Sequence, residues 1–97
     1  MTDKKTVSLT STVCRSEELL TAEIDNELVL MAVQVGNYYG LDVIAADIWR
    51  RLENPVAVAK LCEELVNEYD ADSETINRDV LTLLEKLEKE SLIQITS

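Results

Sequence analysis

The 97 residues contain no histidine, only 2 glycines and 1 proline, and 9 Lys and Arg against 19 Asp and Glu. Each scarcity closes off a class of function. Without imidazole, neither a Ser-His-Asp nor a Cys-His site can be built, and the commonest general base and metal ligand is missing. With so little Gly and Pro, loops are expected to be few and short. A net charge of −10 repels phosphate backbones and anionic membrane surfaces, so neither nucleic acid nor membrane is an expected partner. The same charge keeps a small protein soluble and can steer a basic partner. No apolar run approaches the ~20 residues that span a bilayer. The N-terminus, Met1-Thr2-Asp3-Lys4-Lys5, has no apolar stretch behind it of the signal-peptide kind. Cys14 and Cys62 lie far apart and outside any CxxC pattern. Two free thiols in a cytoplasmic protein are therefore expected. Phosphate-binding glycine loops and EF-hand loops are missing too. The adjacent acids Glu17-Glu18 and Glu63-Glu64 do not face each other on a helix and read as solvated surface. The expectation is a protein that is not an enzyme and holds no cofactor or metal.

What is present suffices for one core. Apolar residues make up 46% of the chain, and this length buries roughly 65% of its unfolded surface. The expectation is a single domain over residues 1–97, with 1–6 as a disordered tail. Strands are expected over 7–41, three helices over 42–91 and a short tail strand over 92–95.

The strand half begins with an alternation of Val7, Leu9, Ser11 and Val13, which suits a short strand or an extended arm. In Leu19 to Ile24 the residues Leu20, Ala22 and Ile24 share one face. Asp25-Asn26 is a turn pair. Leu28 to Val33 is apolar at every position, which predicts a central strand covered on both faces. Gly36-Asn37 turns the chain into Tyr38-Tyr39-Gly40-Leu41, completing a three-stranded antiparallel meander.

The helical half then begins. Asp42 suits an N-cap, and the first apolar face is Ile44, Ala45, Ile48, Trp49 and Leu52. Asn54-Pro55 reads as an N-cap followed by the first position of the second helix. That helix buries Val58, Leu61, Cys62, Leu65, Val66 and Tyr69. Asp72 or Ser73 caps the third, which carries Ile76, Val80, Leu83, Leu84 and Leu87, with Lys86 and Lys89 near its C-terminus. Leu92 to Ile95 closes the domain. Trp49 and Cys62 read as core residues.

These are the parts of a winged helix-turn-helix, an α+β fold. A third helix built for the DNA major groove is basic. Here its exposed acids Glu74, Asp79, Glu85, Glu88 and Glu90 outnumber Arg78, Lys86 and Lys89. Its groove should therefore bind something else. The third strand of a meander leaves an open edge, to which an extended peptide can add through main-chain hydrogen bonds. Tyr38 and Tyr39 supply large, fairly rigid surface there, or else simply pack on the core.

The ordered set Gly36-Asn37-Tyr38-Tyr39-Gly40-Leu41-Asp42, then Ala45, Ile48-Trp49 and Leu52, resembles the PqqD-like precursor-peptide recognition domains. Pro55-Val56, Leu61, Leu65, Tyr69, Asp79-Val80, Leu84, Leu87 and Leu92-Ile93 continue the likeness, which covers about residues 19–95. Three positions depart from the pattern. Met31 stands where Asp is frequent, Asn26-Glu27 replaces a glycine-containing turn, and Ser91 replaces the glycine before Leu-Ile.

The resemblance implies a non-catalytic adaptor that captures the leader of a ribosomal precursor peptide by β-strand addition, against the third helix. Stand-alone domains of this kind are similar to those of lasso-peptide pathways. There the implied partners are a leader with a Tyr-x-x-Pro element and a separate cysteine leader peptidase. On this reading Tyr38, Tyr39 and Leu41 form the strand side of the groove, and Ile76, Val80, Leu83 and Leu84 the helix side. Asp79 and Glu85 meet basic leader side chains. Two alternatives stay open: a PqqD-type peptide chaperone for a radical peptide-modifying enzyme, and an acidic winged-helix module that binds another protein.

Overall fold

A two-residue reversal starts the scaffold. Asp25 adopts a left-handed backbone (φ 51°), which Asp tolerates better than most residues, and folds β2 (Leu19–Ile24) onto β3 (Glu27–Ala32). Gly36, at φ 72°, sits in the next turn, where a residue without Cβ is at ease. The chain then returns as β4 (Tyr38–Leu41). The sheet order is β2-β3-β4, antiparallel, with Leu30 opposite both Thr21 and Tyr39. The computed structural model describes residues 7–17, 19–25, 27–33 and 36–96. The expected tail over 1–6, and Glu18 and Asn26 of the expected acidic and turn pairs, lie outside them.

Three helices follow: α1 (Val43–Arg50), α2 (Val58–Tyr69) and α3 (Ser73–Lys89). Asp42 caps α1 by accepting the Ala45 N–H at 2.8 Å, and Asp72 caps α3 by accepting that of Thr75 at 3.1 Å. The α3 C-terminus is closed by a Schellman motif, with Leu92 N–H on the Leu87 carbonyl and Ser91 N–H on that of Glu88. Ser91 occupies its left-handed position at φ 65°. That is why glycine suits this site. The fold is the α+β, winged-helix-like arrangement expected, a meander followed by three helices.

Two expected boundaries are corrected. The first strand is not Val7–Val13 but β1 (Thr12–Arg15). Ser8 to Ser11 turns instead, held by Ser11 N–H on the Ser8 carbonyl and Ser8 N–H on the Ser11 hydroxyl, the local competition serines offer to strand pairing. The second helix begins at Val58, with no side-chain cap, rather than at Pro55. Val56–Ala57 is drawn off as β5, pairing with Val13 and Thr12, and Val58 N–H reaches the Ser11 carbonyl. The tail strand is β6 (Ile93–Ile95), and it joins β1 in a second sheet of order β5-β1-β6.

The core lies under the inner face of the meander. Leu28, Leu30 and Leu41 pack with Ile48, Trp49, Leu52, Leu61, Leu65, Val80, Leu84, Leu87 and Leu92. Trp49 and Cys62 are buried, as expected. Burial pushes the Cys62 thiol pKa up, and both cysteines are free. Ile44, expected in the α1 core face, is exposed and Ala46 takes its place, while Tyr69 of α2 is also exposed. Tyr69 instead donates to Asp47, beside Arg51, which pairs with Asp47 at 3.0 Å and Glu68 at 2.6 Å. This cluster ties α1 to α2.

Candidate peptide-binding groove

β4 has a paired side and an unpaired side. The Asn37 carbonyl accepts the Ala32 N–H. In an antiparallel ladder bonding residues alternate, so Tyr39 and Leu41 also turn their main-chain groups toward β3. Tyr38 and Gly40 therefore turn theirs outward, and β4 is an edge of its sheet. Two outward residues present two N–H donors and two carbonyl acceptors along one line.

Beside that line runs a groove of about 390 Å³. Its floor is apolar, from Leu41, Ala45, Leu83, Leu87 and Leu92; its rim carries Tyr38, Asp42, Lys86 and Glu90. Side chains alternate along a strand. Tyr39 and Leu41 share the inner face with Leu30 and Leu28, whereas Tyr38 and Gly40 lie on the outer face with Met31 and Val29. At the far end the Tyr39 hydroxyl donates to Glu90 Oε1 at 2.6 Å and accepts from Asn37 Nδ2 at 3.3 Å. That bond joins β4 to the end of α3. The carboxylate holding its proton pushes the Tyr39 pKa above that of an ordinary phenol.

Of the residues expected here, Tyr38, Tyr39, Leu41 and Leu83 line the groove together. Val80 and Leu84 are buried in the core beneath it, and Ile76 packs half-buried against that core. Asp79 and Glu85 are exposed and lie outside the lining. Sequence reasoning assigned no site role to Ala45, Lys86, Leu87, Leu92 or Glu90. Leu87 shares the helical repeat of Leu83 and Leu84, and that signal was available. Glu90, seven residues past Leu83 and three past Leu87, continues the same helical repeat, but its charge hides it from a reading of apolar faces.

The meander's outer face is a second surface. Leu20, Ala22 and Ile24 of β2 stand beside Met31, Val29 and Glu27 of β3. Leu20 is 56% exposed, Ile24 57% and Tyr38 72%. A Cβ on Gly40 would meet nothing nearer than Glu27 Oε1 at 3.9 Å, so this face stays flat beside the open edge. The two-sided cover expected for β3 is present on one side only. Among the described residues no cluster of three or more His, Cys, Asp or Glu can hold a metal ion, and no helix is long and apolar enough to cross a membrane.

The family described as coenzyme PQQ synthesis protein D (PqqD) matches residues 27–93. This chain belongs to the PqqD family. The matched stretch runs from β3 into β6 and includes the open edge and all three helices. Among solved structures, the PqqD-family chain is similar to "TbiB1 in Complex with the TbiA(beta) Leader Peptide", with 31% identity and a TM-score of 0.74 over 84% of this chain and 94% of that one. It is also similar to "Lasso peptide synthetase B1 complexed with the leader peptide", with 26% identity and a TM-score of 0.75 over 84% of this chain and 96% of that one. No curated protein matches the sequence.

Proposed function

We propose that this PqqD-family protein is a non-catalytic adaptor of a lasso-peptide pathway. It holds the leader of a precursor peptide as an added antiparallel strand on β4 and presents the precursor to a separate cysteine leader peptidase. The observation that carries this reading is the pairing of an open edge with an apolar groove. The outward N–H and carbonyl groups of Tyr38 and Gly40 lie beside the floor formed by Leu41, Ala45, Leu83, Leu87 and Leu92. The two similar structures, each a complex with a leader peptide, support the same assignment.

The geometry divides the work. Four main-chain bonds at about 1 kcal/mol each set register more than affinity. Leader residues opposite Tyr39 and Leu41 fall in the non-bonded pairs, where side chains stand closest, and both point into the groove. Residues opposite Tyr38 and Gly40 point outward and extend the apolar outer face. An enzyme seated on that face touches scaffold and leader at once. Processing is then accelerated by effective concentration and fixed geometry, without any reacting group from this chain.

The test is a fluorescence-polarisation titration with labelled leader peptide, followed by amide chemical-shift mapping. Binding is expected to move residues 36–42 and the groove face of α3. Leu83→Glu is expected to abolish it while circular dichroism stays native, and Glu63→Lys on α2 is expected to leave it unchanged. A folded Leu83→Glu protein that binds like wild type overturns the assignment.

A further inference from the structure

Capture of a strand on an apolar floor leaves the groove's polar end without a role. The floor would accept any apolar side chain, yet one end is closed by a carboxylate. Glu90 is half-buried at the α3 C-terminus, with one oxygen receiving the Tyr39 hydroxyl. Asn37 donates to that same hydroxyl, so the Tyr39 oxygen is already engaged on both sides. Lys86, one turn earlier on the same rim, makes no ion pair with Glu90 or with any other described residue. Lys N-terminal to Glu is also the weaker order for such a pair on a helix.

A strand laid along β4 covers this end. An inward side chain opposite Tyr39 would stand beside the Tyr39 side chain, on the face where that hydroxyl meets Glu90. Covering a carboxylate strips water from its second oxygen, and that loss is unfavourable unless a donor replaces the water. The Tyr39 bond holds Glu90 in place, so the carboxylate does not swing out to solvent without giving up its own partner.

We propose that Glu90, positioned by Tyr39, is a specificity-determining residue. It selects peptides whose inward side chain at the Tyr39 register ends in a hydrogen-bond donor, either a cation or a phenol. The proposal rests on the reading of β4 as the peptide-binding edge. It adds a sequence rule to that edge: a donor at the Tyr39 register, and an apolar residue two positions earlier in the peptide, opposite Leu41.

Displayed libraries of ten-residue peptides, selected in parallel on wild type and on Glu90→Leu, test it whatever the natural ligand is. The wild-type pool is expected to converge on Lys, Arg or Tyr at one position, two residues after an apolar one. The Glu90→Leu pool is expected to accept Leu, Met or Phe there. A recovered peptide is then compared with its donorless counterpart, Lys→norleucine or Tyr→Phe, by polarisation. Wild type is expected to lose about tenfold in affinity, the scale of one charge-assisted hydrogen bond, and Glu90→Leu less than twofold. Glu90→Gln separates the two donors, since it keeps an acceptor for a phenol and loses the charge a cation needs. Tyr39→Phe, which frees Glu90 without altering α3, is expected to blunt the preference part-way and guards against a folding artefact in Glu90→Leu. Pools with the same preference on both proteins, or a donor preference at a position of the wrong parity, overturn the proposal and leave the edge intact. Recovery of no peptide, or of peptides that leave the amides of residues 36–42 unmoved, overturns the reading beneath it as well.

Discussion

The two faces of one sheet have opposite fates. On the inner face Leu28, Leu30 and Leu41 are buried, Leu30 completely. On the outer face Leu20 and Ile24, of the same chemistry and on neighbouring strands, are more than half exposed. Hydrophobicity does not separate them, because β3 is apolar on both sides. The helices do. α1 and α3 pack on only one side of β2-β3-β4, and among the described residues Leu20, Ile24 and Tyr38 on the other stay exposed. Apolar composition therefore marks both where a protein folds on itself and where it offers surface to something else. Only topology tells the two apart. From Ser16 to Trp49 the sequence has no Lys or Arg, while Glu17, Glu18, Glu23, Asp25, Glu27, Asp42 and Asp47 carry negative charge.

This contrast is open to direct attack. Leu30→Ala is expected to destabilise the fold by about 2–5 kcal/mol, since it opens a cavity in the core. Ile24→Lys, on the same hairpin but facing outward, is expected to stay within about 0.5 kcal/mol of wild type. Urea titrations of both variants decide whether the faces differ as described. Ile24→Lys is also expected to leave leader affinity unchanged and to slow enzymatic processing of the precursor, measured by mass spectrometry.

A smaller change probes the layer behind the inner face. Ser91 carries the left-handed turn that ends α3, so Ser91→Gly is expected to stabilise the protein by about 0.5–1 kcal/mol. A fall in the thermal midpoint would show that the turn is held by side-chain contacts instead.

The smallest expected effect concerns the α1–α2 tie. Burial alone pushes the Asp47 carboxyl pKa up, but hydrogen bonds from Tyr69 and Arg51, with the Arg51 charge, outweigh it and hold the carboxyl below the usual range. A carboxyl depressed in the folded state contributes stability above its unfolded pKa, near 4, and loses it as pH falls through the folded value. Wild type is therefore expected to be more stable than Asp47→Asn at pH 7, with the gap closing below about pH 4. A gap independent of pH between 7 and 3 would assign the effect to packing.

Much of this was legible in the sequence. The meander, the caps Asp42 and Asp72, and the helical faces follow from local periodicity and turn chemistry, which act over a few residues. One misreading was local, the serine turn at Ser8 to Ser11; another came where distant segments compete. Pro55 looks like a helix start until β1 claims Val56 and Ala57 across more than 40 residues. Tyr39, Leu41 and Leu83 were legible as lining of one groove because alternation and helical repeat aim them there, whereas Tyr38, of the opposite parity, reaches only its rim. Asp79 and Glu85 share the charge of Glu90 but not its place one turn beyond Lys86 and Leu87, at the groove's end.

The shortness of the open edge has a kinetic consequence. With only Tyr38 and Gly40 facing outward, few bonds must break for a bound strand to leave. A peptide held at micromolar affinity, arriving at a typical ~10⁶ M⁻¹s⁻¹, departs in about a second. A longer edge would lengthen that dwell time with every added pair. One copy of this protein can thus release one peptide and take up the next within seconds.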